Sequence, residues 1–214
     1  MNDVFKQMDS MYRHQRYFYD ATRKFYLLGR DQLIERMTIL PGENIAEIGC
    51  GTGRNLEILA RRFPNANFFG LDASSEMLLT ASAKCKNAKL DNIKLKTALA
   101  DDLDHSKTFG INDPFDAIFF SYAISMIPRW REAIDRAIAN LKPQGKMYIV
   151  DFYDQKDLPA WFQTLLKAWL RQFHVQFWGE LIPFLFSLQQ TGLGTLTLDP
   201  IARRYAFIAS FQKA

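Results

Sequence analysis

The chain has 214 residues, of which 48% are hydrophobic and 23% are charged, and its formal net charge is +4. This length and apolar content suffice for a sizeable core, and we expect a single domain over residues 1–214. The mild positive charge is compatible with an anionic membrane surface or a nucleic acid and requires neither. Two cysteines are too few for a disulfide framework, so a reducing, cytoplasmic compartment is expected.

The N-terminal residues, Met1 to Lys6, lack the apolar segment of a secretory signal, and no stretch is apolar over the length of a membrane span. We therefore expect a cytoplasmic protein, either soluble or peripheral on the inner face of the membrane. Residues 1–40 are predicted to form a helical lid, and residues 41–214 the core.

Apolar runs of strand length alternate with helical patterns, which predicts an α/β fold with a doubly wound, mostly parallel, seven-stranded sheet. Strands are predicted at Ile45 to Ile48, Asn67 to Leu71, Ile93 to Thr97, Phe115 to Ser121, Lys146 to Asp151, Leu193 to Leu198 and Arg204 to Phe211. Helices are predicted from Leu56, at Ser74 to Lys86, at Arg129 to Leu141 and at Leu158 to Phe173. Lys142 to Gly145 is expected to end the third helix, and Asp199-Pro200 to join the last two strands.

The segment from Glu47 to Gly53 turns between the first strand and the first of these helices. Its glycines, Gly49, Gly51 and Gly53, permit positive φ and close approach of the backbone to a ligand. Asp72 ends the second apolar run about 20 residues on, where a ribose hydroxyl would need an acceptor. The loop lacks the Lys-Ser/Thr pair of a triphosphate-binding P-loop, and its spacing departs from that of dinucleotide sites. The alternative is a tight turn without a ligand.

The pattern E-x-G-x-G-x-G over Glu47 to Gly53 resembles motif I of the class I S-adenosylmethionine-dependent methyltransferases. The resemblance implies a Rossmann-like methyltransferase fold with S-adenosylmethionine (SAM) as its cofactor. The loop would hold the amino-acid end of SAM, and Asp72 its ribose. Met77 resembles the apolar residue that packs on adenine, with core packing as an equal alternative. The cofactor-binding residues implied are Tyr19, Arg30, Glu47, Gly49, Cys50, Gly51, Gly53, Asp72, Ala73, Met77, Ala100, Asp101 and Ser121.

The segment after the third strand departs from the family pattern and can be aligned in two ways. If Asp102-Leu103 matches the usual acid-Leu pair, Leu99 takes the adenine-reading position, and only the backbone of Ala100 and Asp101 can bond the base. In the other alignment the Asp101 carboxylate reads adenine. A third interpretation is that both aspartates cap a helix or a turn.

Ser121 and Tyr122 follow the fourth strand, and ligands of open α/β sheets bind at the carboxyl ends of the strands. We therefore expect both residues to border the reaction centre. Tyr122 is predicted to stack on the cofactor or to face the methyl acceptor, with an ordinary buried tyrosine as the alternative. Together with Phe152 and Tyr153, it is a candidate for an aromatic cage around a quaternary ammonium group.

The segment from Met11 to Ile34 is dense in aromatic and cationic residues. Its Tyr-Asp pair followed by Gly-Arg resembles the lid of lipid- and quinone-modifying methyltransferases, and the whole stretch resembles the N-methyltransferase of betaine lipid synthesis. The segments from Ala133 to Pro143 and from Ile149 to Phe152 fit that family too. The resemblance implies trimethylation of the homoserine amine of diacylglyceryl-homoserine, a lipid substrate at the membrane surface, to give diacylglyceryl-trimethylhomoserine.

N-methylation requires a neutral amine aligned with the sulfonium methyl group, and no nucleophilic side chain. The candidate acceptors of the amine proton are His14, Asp20 and Asp151. With Tyr122, these are the predicted catalytic residues. The histidines show no partner at metal-ligand spacing, and no metal is predicted.

The helix predicted over Leu158 to Phe173 carries an apolar stripe of Trp161, Leu165, Trp169 and Phe173. An interfacial helix that contacts lipid and an ordinary core helix both fit this stripe. The following segment, from Phe177 to Phe186, is predicted to be a loop-like, lipid-facing flap or pocket wall.

Three alternatives to the betaine-lipid activity stay open. The first is methylation of another amphipathic acceptor, a quinone or phosphatidylethanolamine. The second is an RNA-binding or RNA-modifying module, although the cations are interleaved with aromatic residues rather than clustered, and no nucleic-acid partner is expected. The third is a protein that binds the cofactor without catalysis.

Overall fold

The computed structural model describes residues 26–171 and 175–214. In this part of the chain a seven-stranded sheet has the order β3-β2-β1-β4-β5-β7-β6. Its strands are β1 Asn44–Ile48, β2 Asn67–Asp72, β3 Ile93–Thr97, β4 Phe115–Ser121, β5 Leu141–Phe152, β6 Gly194–Ile201 and β7 Ala206–Lys213. The pairs from β3 to β5 are parallel, and β7 is antiparallel to β5 and β6. The predicted mostly parallel α/β sheet is confirmed.

Helices cover both faces of the sheet, and side chains that alternate along each strand supply two separate core clusters. On β4, for example, Ile118 and Phe120 belong to one cluster, and Ala117 and Phe119 to the other. The helices are α1 Arg30–Arg36, α2 Arg54–Arg62, α3 Ser75–Asn87, α4 His105–Phe109, α5 Trp130–Ala139, α6 Ala160–Arg171 and α7 Leu181–Gln190. Short 3-10 turns cover Ala100–Asp102 and Ile124–Met126.

Strand β5 begins at Leu141 rather than at the predicted Lys146, so the segment Lys142 to Gly145, predicted to end the helix, lies in a strand. Helix α5 already ends at Ala139, and residues 142–145 lie within β5. The strand accommodates Pro143 because its register against β4 shifts between Phe115 and Ala117. A bulge of this kind is difficult to recognise in a Pro-Gln-Gly sequence that is typical of a turn.

The connection between the last two strands also differs from the prediction. Asp199 and Pro200 lie inside β6, and the turn is formed by residues 202–205. Because β6 is the edge strand of the described sheet, a proline without an N–H group is tolerated there. In the observed turn Ala202, Arg203 and Arg204 have positive φ angles. Such angles are not predicted for alanine and arginine, because they are unfavourable for residues with a Cβ atom.

The segment predicted to be a loop-like flap, Phe177 to Phe186, is partly helical. Helix α7 begins at Leu181, and its buried residues Leu181, Leu185 and Leu188 join one of the core clusters. Pro183 lies in its first turn, where the missing N–H group costs no helical hydrogen bond. No helix in the described part of the chain is long and apolar enough to cross a membrane.

Helix α6 turns a different face to the core than the predicted stripe. Its buried residues are Leu166 and Leu170, whereas Trp161 is 70% exposed and Leu165 is 62% exposed. The stripe therefore divides, with Trp169 partly packed on the core cluster and its first two members at the surface. Phe173 lies outside the described residues.

Candidate active site

The carboxyl ends of the parallel strands meet at one edge of the sheet, and the glycine loop follows β1 there. Gly49, Gly51 and Gly53 have φ angles of 73°, 54° and 74°. A Cβ atom at Gly49 would lie 2.6 Å from the Cβ of Ala123, which follows β4. Glycine is therefore required at Gly49 by both conformation and space.

Asp72 joins the glycine loop to the turn after β2. Its carboxylate accepts a 2.7 Å hydrogen bond from the Gly51 N–H and a 2.9 Å bond from the Ser74 N–H. Ala73, also predicted to bind the cofactor, stands between Asp72 and Ser74 in the chain. Ser74 also caps α3, where its hydroxyl accepts from the N–H of Met77. The residue predicted to bind ribose thus sets the shape of the loop predicted to bind the methionine end.

Glu47, in β1, and Cys50, in the loop, are also buried at this edge. Glu47 accepts a 2.7 Å hydrogen bond from the Asn55 side chain, which fastens the end of β1 to α2. Burial raises the pKa of the Cys50 thiol well above its usual range, and the charges of Asp72 and Glu47 add to the effect. Cys50 is therefore a small, protonated loop residue rather than a nucleophile.

The predicted adenine edge is the 3-10 turn Ala100–Asp102. The carboxylate of Asp101, only 7% exposed, forms a 2.6 Å ion pair with Arg129. This pairing engages one of the two Asp101 carboxylate oxygens, and both the side-chain and the backbone contact with adenine stay predictions. Met77 is buried near the start of α3, and its packing on adenine stays a prediction.

Tyr122 follows β4 and adopts a φ angle of 54°. Its hydroxyl donates a 2.6 Å hydrogen bond to the carbonyl oxygen of Leu28, and its ring meets that of Phe152 edge-on at 4.8 Å. Burial raises the pKa of the Tyr122 hydroxyl well above its usual range, with the charge of Asp151 as a second cause. Tyr122 is therefore a fixed donor and an aromatic wall, and its predicted contact with substrate stays a prediction.

Asp151, near the end of β5, is 1% exposed. Its carboxylate accepts 2.9 Å and 2.8 Å hydrogen bonds from the N–H groups of Ser125 and Phe152. Burial raises the pKa of this carboxyl to about 6, opposed by those hydrogen bonds. The geometry favours support of the 3-10 turn after β4 over direct proton transfer.

The chain before and within α1 lies over the start of α2. Leu27, Leu28, Gly29, Arg30, Asp31, Gln32 and Arg54 line a cavity of about 200 Å³. Arg54 donates a 2.8 Å hydrogen bond to Asp31, and the hydroxyl of Tyr205 donates one of the same length to the carbonyl of Tyr26. Arg30 is thus placed beside the loop that it is predicted to assist. His14, Tyr19 and Asp20 lie outside the described residues, and their roles stay predictions.

Sequence reasoning missed three residues at this edge: Asn55, Tyr205 and Gln155. The Asn55 side chain bonds the Glu47 carboxylate, and the Tyr205 hydroxyl bonds the Tyr26 carbonyl. Gln155, in the turn after β5, is fully buried. Only Asn55, two residues after Gly53, offered a local signal in the sequence.

Residues 39–192 match the family model described as a methyltransferase domain. The chain belongs to this family. Among its relatives, the demethylmenaquinone methyltransferase of Listeria welshimeri is 26% identical over 142 residues, which cover 66% of this chain and 58% of the relative. The trans-aconitate 2-methyltransferase of Deinococcus radiodurans is 29% identical over 184 residues, covering 78% and 64%. The chain spans less than two thirds of the length of these relatives.

Solved structures show the same fold. The methyltransferase domain has a TM-score of 0.67 with DhpI in its complex with SAM and HEP, at 18% identity over 96% of both chains. Its TM-score with a SAM-dependent methyltransferase from Aquifex aeolicus is 0.62, at 15% identity over 100% of this chain and 99% of that one. The implied Rossmann-like methyltransferase fold is confirmed.

The residues at the carboxyl edge fit SAM, the cofactor of this family. The glycine loop has no side chains at Gly49, Gly51 and Gly53, so its backbone can approach a ligand closely, and Asp72 provides a buried carboxylate. The Oγ of Ser121, at the end of β4, is buried and forms no hydrogen bond in the described part of the chain. A ligand hydroxyl or amine at this edge would complete its hydrogen bonding.

Proposed function

We propose that this protein transfers methyl groups from SAM to the homoserine amine of diacylglyceryl-homoserine and produces diacylglyceryl-trimethylhomoserine. The observation that carries methyl transfer is the glycine loop whose Gly51 N–H is bonded to the Asp72 carboxylate. The choice of acceptor is supported by the betaine-lipid resemblance of the N-terminal segment and by the exposed apolar face of α6.

SAM, when bound, supplies a methyl group on a positively charged sulfur. The task of the protein is to align two ligands and exclude water. The loop from Gly49 to Gly53 and Asp72 hold one ligand at the carboxyl edge. Tyr122 and Phe152 form an aromatic wall beside it, and aromatic faces stabilise an ammonium group that gains methyl groups.

The attacking amine must lose a proton before each transfer. Asp151 is poorly suited to accept it, because backbone N–H groups of Ser125 and Phe152 occupy both carboxylate oxygens. We assign it the positioning of residues 124–126. His14 and Asp20 stay the proposed proton acceptors.

Helix α6 supports attachment to a lipid surface. Its Lys167 lies 5.9 Å from the centre of the Phe177 ring, and that ring lies 6.0 Å from the ring of Phe152, so one ring links the helix to the aromatic wall. Its outer face exposes Trp161 and Leu165 to solvent. An apolar outer face next to the site would bring the reaction centre to the membrane surface, where the lipid acceptor resides.

A quinone ring is the second candidate acceptor. The observation that favours it is the 26% identity to a demethylmenaquinone methyltransferase over 142 residues. A quinone presents carbon and oxygen atoms to the site instead of an amine, so the products of the two reactions are distinguishable by mass.

The test is an acceptor assay with purified protein and isotope-labelled SAM. Mixed micelles contain diacylglyceryl-homoserine, phosphatidylethanolamine or a demethylated quinone in separate reactions. We expect mono-, di- and trimethylated homoserine lipid in sequence. Methylation of the quinone with no product from the homoserine lipid would overturn the proposed acceptor. The Asp72→Ala variant serves as the control for cofactor-dependent transfer.

A further inference from the structure

Gln155 lies in the connection between β5 and α6, and its buried amide has no hydrogen-bond partner among the described residues. The residue is 0% exposed. Neither its Nε2 nor its Oε1 forms a hydrogen bond in the described part of the chain. Nearly all buried polar side chains in folded proteins are hydrogen-bonded, because an unmade bond leaves the desolvation of the group uncompensated. The missing hydrogen bonds of this amide therefore require an explanation, and a bound ligand would provide one.

The backbone holds Gln155 in a conformation that costs energy. Its φ angle is 60°, in the left-handed region that non-glycine residues rarely adopt. Its N–H donates a 2.9 Å hydrogen bond to the carbonyl of Arg204, and its carbonyl accepts a 3.0 Å bond from the N–H of Leu158. Arg204 is itself at positive φ and is paired with Asp154. Strain that is fixed on two sides is typical of functional positions.

The turn is part of the carboxyl edge of the sheet. Phe152, three residues earlier, contacts the rings of Tyr122 and Tyr205 at 4.8 Å and 5.8 Å. Ser121, on the neighbouring strand, pairs in register with Val150 of β5 and also has a buried hydroxyl without a partner in the described residues. Ser121 at the end of β4 and Gln155 shortly after β5 thus both carry buried polar atoms without a partner in the described residues, at the edge where open α/β sheets bind ligands.

We propose that the Gln155 amide binds the polar head of the methyl acceptor and selects a head that carries both a hydrogen-bond acceptor and a donor. The amide nitrogen donates and the amide oxygen accepts, so an amino-acid head satisfies both atoms. The inference rests on the proposed function, in which homoserine supplies a carboxylate for Nε2 and an amine for Oε1. A quinone ring, which lacks an amine, satisfies fewer of these bonds.

The same contact distinguishes the intermediates from the product. The amine, monomethyl and dimethyl heads keep an N–H group when protonated, and each can donate to the Gln155 oxygen. The trimethylated head has no N–H group. Gln155 therefore retains the unfinished lipid and loses one hydrogen bond to the finished one, which favours release after the third transfer.

The Gln155→Met variant tests this inference, since methionine has a similar shape and no strong hydrogen-bonding group. Binding to micelles of diacylglyceryl-homoserine and of diacylglycerol is measured with S-adenosylhomocysteine present, together with the melting temperature. We expect affinity for the homoserine lipid to fall about tenfold or more. Affinity for diacylglycerol and S-adenosylhomocysteine should not change, and the melting temperature should hold or rise.

Gln163→Met is the matched control, because the Gln163 amide is already bonded to the carbonyl of Leu158 at 2.8 Å. It should lower the melting temperature without changing headgroup affinity. Gln155→Glu, which keeps an oxygen acceptor and loses the donors, provides a second variant and should also lose the homoserine lipid, through repulsion of its carboxylate.

The inference would be overturned if Gln155→Met and Gln155→Glu bound the homoserine lipid as tightly as the wild type does. It would also be overturned if Gln155→Met lost affinity for S-adenosylhomocysteine, or if the wild type bound diacylglyceryl-homoserine and diacylglycerol equally well. Failure of the proposed function gives another result. If the wild type binds the homoserine lipid in a Gln155-dependent manner but transfers no methyl group to it, the inference is supported and the proposed function is wrong.

Discussion

The Tyr122 hydroxyl donates a 2.6 Å hydrogen bond to the carbonyl oxygen of Leu28, 94 residues earlier in the chain. Tyr122 directly follows β4, whereas Leu28 lies two residues before α1. The hydroxyl of Tyr205 bonds the carbonyl of Tyr26 in the same way. Two tyrosines thus fasten the segment that precedes α1 to the carboxyl edge of the sheet, next to the proposed cofactor site.

Tyr122→Phe removes one of these two connections. We expect the free energy of unfolding to fall by about 1–2 kcal/mol, because the Leu28 carbonyl loses its partner. SAM affinity should fall as well, and limited proteolysis should cut more readily near residues 26–32. Urea unfolding, calorimetric titration and timed digestion measure the three effects. The control is Tyr148→Phe, a buried tyrosine of β5 for which no hydroxyl hydrogen bond is found in the described residues. Equal stability of the two variants would contradict the prediction.

Asp72→Ala should weaken SAM binding by about tenfold or more, since each hydrogen bond to a charged carboxylate contributes about 1.5–3 kcal/mol. The loss has two sources, the predicted ribose contact and the bond that holds Gly51. Titration with S-adenosylhomocysteine measures it. Asp104→Ala is the control, because Asp104 also accepts from two backbone N–H groups, those of Ser106 and Lys107. It should lower stability alone. Unchanged cofactor affinity in Asp72→Ala would refute the ribose assignment.

Gly49→Ala should be more destabilising than Gly42→Ala. Both glycines have positive φ, 73° and 83°, so each substitution costs about 1–2 kcal/mol of backbone strain. A new Cβ at Gly42 meets no atom within 4 Å, whereas at Gly49 it would lie 2.6 Å from the Ala123 Cβ. The difference between the two unfolding free energies isolates the steric effect. If the variants are equally stable, the loop has room that this geometry does not provide.

The buried carboxyl of Asp151 predicts a pH dependence of stability. Its pKa in the folded protein, about 6, is above the value of 3.8 for an unperturbed aspartate. Between these two values the folded state binds the proton more tightly, so this group favours folding at low pH. Its contribution is lost as the pH rises toward 6, by about 3 kcal/mol in total. The measurement is the unfolding free energy of wild type minus that of Asp151→Asn from pH 4 to pH 7.5. A difference that does not fall with pH would contradict the raised pKa.

Replacing both Trp161 and Leu165 by alanine should reduce binding to anionic lipid vesicles about tenfold, because two apolar side chains no longer enter the interface. Stability should not change, since these residues are 70% and 62% exposed. Vesicle co-sedimentation measures binding, and thermal unfolding checks the fold. Leu79→Ala, on α3, is the matched control because Leu79 is 64% exposed. Wild-type vesicle binding by the double variant would count against α6 as the lipid-facing element.

Sequence reasoning was reliable for the local backbone conformation of the glycine loop. Gly49, Gly51 and Gly53 all have the positive φ angles that their spacing predicted. Sequence reasoning was weaker for side chains whose partners are distant in the chain. The Asp101 carboxylate forms its ion pair with Arg129, and nothing in the sequence connects these two residues.

The secondary-structure predictions were likewise correct where the signal is local and wrong where tertiary contacts decide. The strand predicted over Phe115 to Ser121 was found with those bounds, because a buried parallel strand is a short, continuous apolar run. The turn between β6 and β7 was misplaced, since Pro200 lies in an edge strand and the turn itself contains neither glycine nor proline.

The sequence by itself determined the α/β sheet, the glycine loop and the acid at the end of β2, because each depends on the conformational preferences and apolar periodicity of consecutive residues. Only the tertiary structure decided that Tyr122 fastens the segment before α1, that Asp151 supports the turn after β4, and that the buried Gln155 amide has no partner among the described residues. These properties depend on atoms contributed by distant parts of the chain, and burial and hydrogen bonding between them arise only when the sheet is assembled.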